Sequence, residues 1–121
     1  EDEQPYAKAL EDALERMILV VPSFLFVEIT NVLIIAERRG RTTFEQANDF
    51  LQNLSNFSII ADEKNRPAAF AEILQLGRTS GLTAYDTMYL ELALRQNLPL
   101  ATLDKALLRA AKEKVVAIYK P

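Results

Sequence analysis

Apolar residues recur at helical spacing along most of this chain, and short unbroken apolar runs separate the helical stretches. Tyr6, Ala9, Leu10, Ala13, Leu14 and Met17 line one face of a helix over residues 5–17, with Pro5 in its first turn. Ile18–Val21 follows without alternation, the pattern of a parallel strand buried on both faces. Pro22-Ser23 is expected to open a second helix running to about Arg39, with Gly40 as its C′ residue. Thr42-x-x-Glu45 reads as a capping box for a third helix, about 43–55. Phe57–Ala61 is a second strand, and Pro67 opens a fourth helix carrying Phe70, Ile73, Leu74 and Gly77. Thr79–Leu82 reads as a loop, and Thr83 as the N-cap of a fifth helix ending near Asn97. A third strand at Leu100–Thr102, a helix over Lys105–Lys112 and a last strand at Val115–Ile118 complete the chain. Short strands separated by helices predict an α/β domain with a mainly parallel sheet.

Three acids break these patterns. In the fifth helix Asp86 shares a stripe with Tyr89, Leu90 and Ala93, while Thr87, Glu91 and Arg95 gather opposite. Asp104 shares a stripe with Leu107, Leu108 and Ala111. Glu28 shares one with Phe24, Leu25, Val32 and Ile35, and Asn31 lies one turn along, whereas Glu37 falls on the far side. All three faces are therefore expected to be buried. The structural explanation of Asp86 and Asp104 is helix capping, which contributes on the order of 1 kcal/mol. An unpaired buried carboxylate costs several kcal/mol, so capping alone would not justify deep burial. Solvent access, a basic partner or a bound cation must provide the offset. A carboxylate–arginine network and a metal site both remain open on spacing alone.

Composition narrows the chemistry. The 121 residues contain no histidine and no cysteine. Ser-His and Cys-His nucleophile pairs are thus ruled out, as are disulfides and zinc sites of the usual His/Cys kind. The three glycines, at 40, 77 and 81, form neither a P-loop nor a dinucleotide fingerprint. Carboxylates that converge at the carboxyl ends of strands suit Mg²⁺ or Mn²⁺, and the matching reaction is attack of a metal-bound water on a phosphodiester. Net charge is −3, with residues 1–15 at −5 and the remainder at +2, so bulk charge does not argue for nucleic acid. Arg38, Arg39 and Arg41 form the dense basic cluster, for which a solvated helix end is an equal explanation. No apolar run approaches the roughly 20 residues that span a bilayer. A cytoplasmic location is expected. The second helix is apolar almost all round, so a partner surface is expected around Phe26, Ile29 and Leu33.

Glu28-x-x-Asn31-x-Leu33, Tyr85-Asp86-x-x-Tyr89-Leu90-x-Leu92-Ala93 and Pro99-Leu100-Ala101-Thr102-Leu103-Asp104 resemble the acidic motifs of PIN domains. They are most similar to those of VapC-type toxins of bacterial toxin–antitoxin pairs, and they agree in order and spacing from about residue 5 to 118. The resemblance implies a PIN-like three-layer α/β/α fold with a mainly parallel sheet flanked by helices. It implies a Mg²⁺-dependent endoribonuclease whose metal is held by Glu28, Asp86 and Asp104, with Asn31 and Thr102 supporting the acids. It also implies a homodimer and a cognate antitoxin as partners. The second reading is a non-catalytic PIN-like interaction module. PIN domains begin with a central strand bearing another essential acid, and neither that strand nor an initiator Met precedes Glu1–Gln4 here. One domain over residues 1–121, lacking its first strand, is therefore expected. Such a chain is either a fragment or one that has lost part of its site, and it is expected to bind Mg²⁺ weakly and cleave poorly.

Overall fold

A computed structural model describes residues 3–63 and 67–121; Glu1 and Asp2 of the acidic front lie outside them. The elements are α1 (Glu3–Leu14), β1 (Ile18–Pro22), α2 (Leu25–Arg38), α3 (Phe44–Leu54), β2 (Ser58–Asp62), α4 (Pro67–Ser80), α5 (Ala84–Gln96) and α6 (Lys105–Glu113). The chain is thus helix-rich α/β, and its sheet is parallel. It divides into two compact units, Leu10–Asp62 and Glu1–Ala9 with Glu63–Pro121.

In the unit Leu10–Asp62, β1 pairs with β2 from Ile18↔Ser58 to Pro22↔Asp62. Parallel pairing demands a long crossover, which α2 and α3 supply. Pro22 closes the strand rather than opening a helix. It has no N–H to give, and the following Ser23 N–H continues the pairing by donating to Asp62 O at 3.2 Å. Helix α2 therefore starts at Leu25, with Phe24 as an N-cap that offers no side-chain bond. The capping box of α3 sits one residue later than expected, at Thr43 and Gln46. Gln46 N–H donates to Thr43 Oγ1, and Gln46 Oε1 accepts from both Thr43 N–H and the Thr42 hydroxyl, each at 3.1 Å. One neutral amide thus satisfies both threonines, and this register buries Ala47.

In the other unit, α4 packs on α5 and α5 on α6. Leu90, Ala93, Leu100, Leu107, Ala110, Ala111 and Val116 form the core. Helix α4 runs to Ser80, into the segment expected as a loop, and Gly81 at φ +68° ends it. The two expected C-terminal strands shrink to a single parallel bridge, Leu100↔Ile118. Leu100 N–H donates to Ala117 O, and Tyr119 N–H donates to Leu100 O, both at 2.8 Å. Pro99 has no N–H to extend that ladder, and Val115 is turned to φ +59° at the end of α6. Among the described residues no helix is long and apolar enough to cross a membrane.

Candidate nuclease site

Asp86 occupies the third position of α5. Thr83 Oγ1 caps the helix by accepting from Asp86 N–H at 3.3 Å, but the carboxylate forms no reciprocal bond back. The side chain is half-buried, and among the described residues it takes no hydrogen bond and no ion pair. Its burial arises differently from the expected single stripe. Leu90 and Ala93 do face the core, but so do Thr87, at 0% exposure, and Leu92. Two facts reconcile Thr87 with burial. Its hydroxyl donates to Thr83 O at 2.6 Å, so no polar group is left unsatisfied. Gly77 of α4 also leaves the space, since a Cβ there would stand 3.2 Å from Thr87 Oγ1. Glu91 and Arg95 stay on the outer side as a two-pronged ion pair, with Arg95 Nε 2.9 Å from Glu91 Oε2 and Nη2 3.2 Å from Oε1.

Asp104 is exposed and caps α6, with Oδ2 accepting from Leu107 N–H at 2.9 Å. Thr102 Oγ1 accepts from Asp104 N–H at 3.1 Å, which fixes the backbone ahead of the cap without touching the carboxylate. The stripe behind Asp104 is buried as expected at Leu107 and Ala111, and Leu108 is half-buried. Asp104 itself stands clear of it because an N-cap residue lies outside the helical repeat. Asp86 and Asp104 thus occupy the first turns of two consecutive helices that share one core. Leu90, one turn beyond Asp86, and Leu107, one turn beyond Asp104, both belong to it.

Glu28 belongs to the unit Leu10–Asp62. It is exposed on α2 together with Asn31 and Val32, contrary to the buried stripe expected there. The half-buried line of α2 is instead Leu25, Ile29, Leu33 and Ala36, and no residue of the helix is fully buried. The sequence favours neither line because apolar side chains surround this helix; the parts it packs against decide. Phe26, Val27, Thr30, Asn31 and Ile34 line an open groove of about 370 Å³.

A groove of about 380 Å³ that the sequence pattern does not announce lies between α4 and α5, lined by Phe70, Ile73, Leu74, Gly77, Leu82 and Thr87 with Arg78. Phe70 and Leu74, one turn apart on α4 and both exposed, mark it. It is apolar and contains none of the candidate acids. Among the described residues two buried hydroxyls, Tyr6 and Ser80, lack partners. Burial, and then the neighbouring Tyr119, holds the Tyr6 phenol above its ordinary pKa, so it stays neutral and offers no base.

The family model of the PIN domain matches residues 2–113. The chain belongs to the PIN domain family. Its α/β/α fold is accordingly the one the acidic motifs implied, and PIN domains are generally nucleases that act on nucleic acid with divalent metal ions. Among solved structures, PAE2754 from Pyrobaculum aerophilum is similar at 28% identity and a TM-score of 0.63, covering 88% of this chain and 75% of that one. No curated protein matches the sequence.

The donors fit a hard divalent cation in kind. They are all carboxylate oxygens, and among the described residues no basic group pairs with those of Asp86. Among the described residues, neither unit gathers three acids into a metal-binding group. Mg²⁺ keeps several waters and is held through one or two carboxylates plus substrate phosphates, so it needs no closed protein cage.

Proposed function

We propose that this PIN domain is a Mg²⁺-dependent endoribonuclease and the toxin of a toxin–antitoxin pair, acting in the cytoplasm as a homodimer. Mn²⁺ would serve in place of Mg²⁺. The observation that carries the reading is the Asp86 carboxylate, half-buried at the head of α5 and, among the described residues, without a partner in a nuclease family. A structural carboxylate–arginine network would have paired it.

Asp86 and Asp104 would hold the cation, which when bound supplies Lewis-acid polarisation of a phosphoryl oxygen and a nucleophilic water at neutral pH; Glu28 is the candidate ligand in the unit Leu10–Asp62. The topology supports bringing Asp86 and Asp104 together. They head two consecutive helices whose first core residues, Leu90 and Leu107, pack in the same cluster, which favours bringing the two carboxylates near one another. Thr102, through the Asp104 backbone, holds the cap in place. Asn31, one turn from Glu28 on α2, would support it. The motif spacing favours a VapC-type toxin, hence a cognate antitoxin, and the exposed apolar side of α2 supports a homodimer.

The test is cleavage of labelled RNA by protein expressed from its whole reading frame, with Mg²⁺ and with EDTA, beside Asp86→Asn. Cleavage that needs the cation and is lost in Asp86→Asn is expected, with the melting temperature kept or raised. Cleavage unchanged by EDTA would refute metal dependence. A stable protein that never cleaves RNA would favour the interaction-module reading.

A further inference from the structure

Arg38, Arg39 and Arg41 are three of the four basic residues in Leu10–Asp62, against eight acids in the same unit. All three are exposed, and among the described residues none pairs with a carboxylate. Cations that merely balance a surface are spread among its acids; these are concentrated at one turn.

Capping of α2 does not account for them. The last carbonyls are already satisfied by backbone: Arg39 N–H donates to Ile35 O at 3.0 Å, Gly40 N–H to Glu37 O at 3.1 Å and Arg41 N–H to Ala36 O at 2.8 Å. Gly40, at φ +68°, makes this turn. The helix end therefore needs no guanidinium as a cap, and Arg41 lies beyond the dipole's last turn. What remains is a fork-shaped donor set of three permanent charges facing water, the arrangement that recognises phosphate oxygens in pairs.

We propose that Arg38, Arg39 and Arg41 anchor the phosphate backbone of an RNA strand. This rests on reading the chain as a ribonuclease. Arg38 lies ten residues beyond Glu28 on α2, or about 15 Å at the helical rise of 1.5 Å per residue. A strand held at both points need be only a few nucleotides long. Held there, its phosphates would be positioned without their sequence being read. The contact is electrostatic and should be visible as a salt dependence.

The experiment measures binding of a short labelled single-stranded RNA by fluorescence anisotropy in EDTA across a salt series. Wild type is compared with the triple Arg38→Gln, Arg39→Gln, Arg41→Gln variant and with the triple Lys variant. Each phosphate neutralised contributes about 0.7 to the slope of log K against log salt for a single strand, so the Gln variant should lose about 2. The Lys variant should keep most of the slope, and all three proteins should melt alike because the positions are exposed. A wild-type slope in the Gln variant would overturn the proposal and leave the patch to an acidic protein partner. No RNA binding by wild type would overturn it too. Cleavage is measured in parallel: binding through the arginines without cleavage would sink the ribonuclease reading alone, and cleavage with an unchanged slope would sink this proposal alone.

Discussion

Asp104 has a structural role visible in its geometry and a catalytic one proposed for it, and two substitutions separate them. Asp104→Asn keeps an oxygen able to accept from Leu107 N–H, the 2.9 Å bond that caps α6. Asn and Asp are nearly equal N-caps, whereas Ala in their place costs typically about 1 kcal/mol. Each kcal/mol moves the melting temperature by about 4–8 °C in a domain of 60–100 residues and about 2–4 °C at 150–250. Asp104→Ala should therefore melt about 3–6 °C below wild type in this 121-residue chain. Asn does forfeit the carboxylate charge at the helix head, worth about 0.3–1 kcal/mol at low ionic strength and screened by salt. Melting followed by circular dichroism in high salt isolates the hydrogen bond, and there Asp104→Asn should match wild type within about 1 °C. RNA cleavage should nevertheless fall in both variants by at least about a hundredfold, since loss of outer-sphere partners of a metal alone costs about 10–100-fold. Wild-type cleavage by Asp104→Asn would show that the residue is only a cap. Equal destabilisation of both variants in high salt would show that the capping argument is wrong.

Val27 and Val32, 70% and 65% exposed on α2, are better probes of the proposed dimer than half-buried Leu33. Val27→Asp with Val32→Asp should give monomer mass in light scattering at an unchanged melting temperature, and a persisting dimer would place its interface elsewhere. Gly77→Ala should lower stability by about 1 kcal/mol, because overpacking of about 1–3 kcal/mol exceeds the helix-propensity gain of about 1 kcal/mol. Thr87 Oγ1, 3.2 Å from the added methyl and held by Thr83 O, has no room to yield. A higher urea midpoint for Gly77→Ala would refute this, and adding Thr87→Ala should relieve the crowding. Val115 is 91% exposed at φ +59°, in the place where Gly40 and Asn97 end α2 and α5. Val115→Asn should recover about 1 kcal/mol of left-handed backbone strain, read as a higher urea midpoint at constant slope, and no gain would show that the turn is unstrained.

The sequence by itself determined the elements whose signals are local. Helical periodicity placed α1, α4, α5 and α6 within a few residues, and the last three also carry a cap or terminator of their own, Gly81 for α4, Thr83 and Asn97 for α5 and Asp104 for α6. The apolar runs at Ile18–Val21 and Phe57–Ala61 became a parallel pair. Three acidic motifs in order were enough to imply the family. Tertiary structure alone decided which faces were covered. Thr87 is buried because a glycine on a neighbouring helix makes room and a backbone carbonyl takes its hydroxyl proton. Neither fact is local to its stripe. Glu28 is exposed because α2, apolar on nearly every side, buries whichever line its neighbours touch. The Leu100 and Ile118 segments form one bridge rather than strands because Pro99 cannot donate and α6 ends in a turned-out valine. Periodicity reports that a face is apolar, but burial depends on what the rest of the chain brings against it.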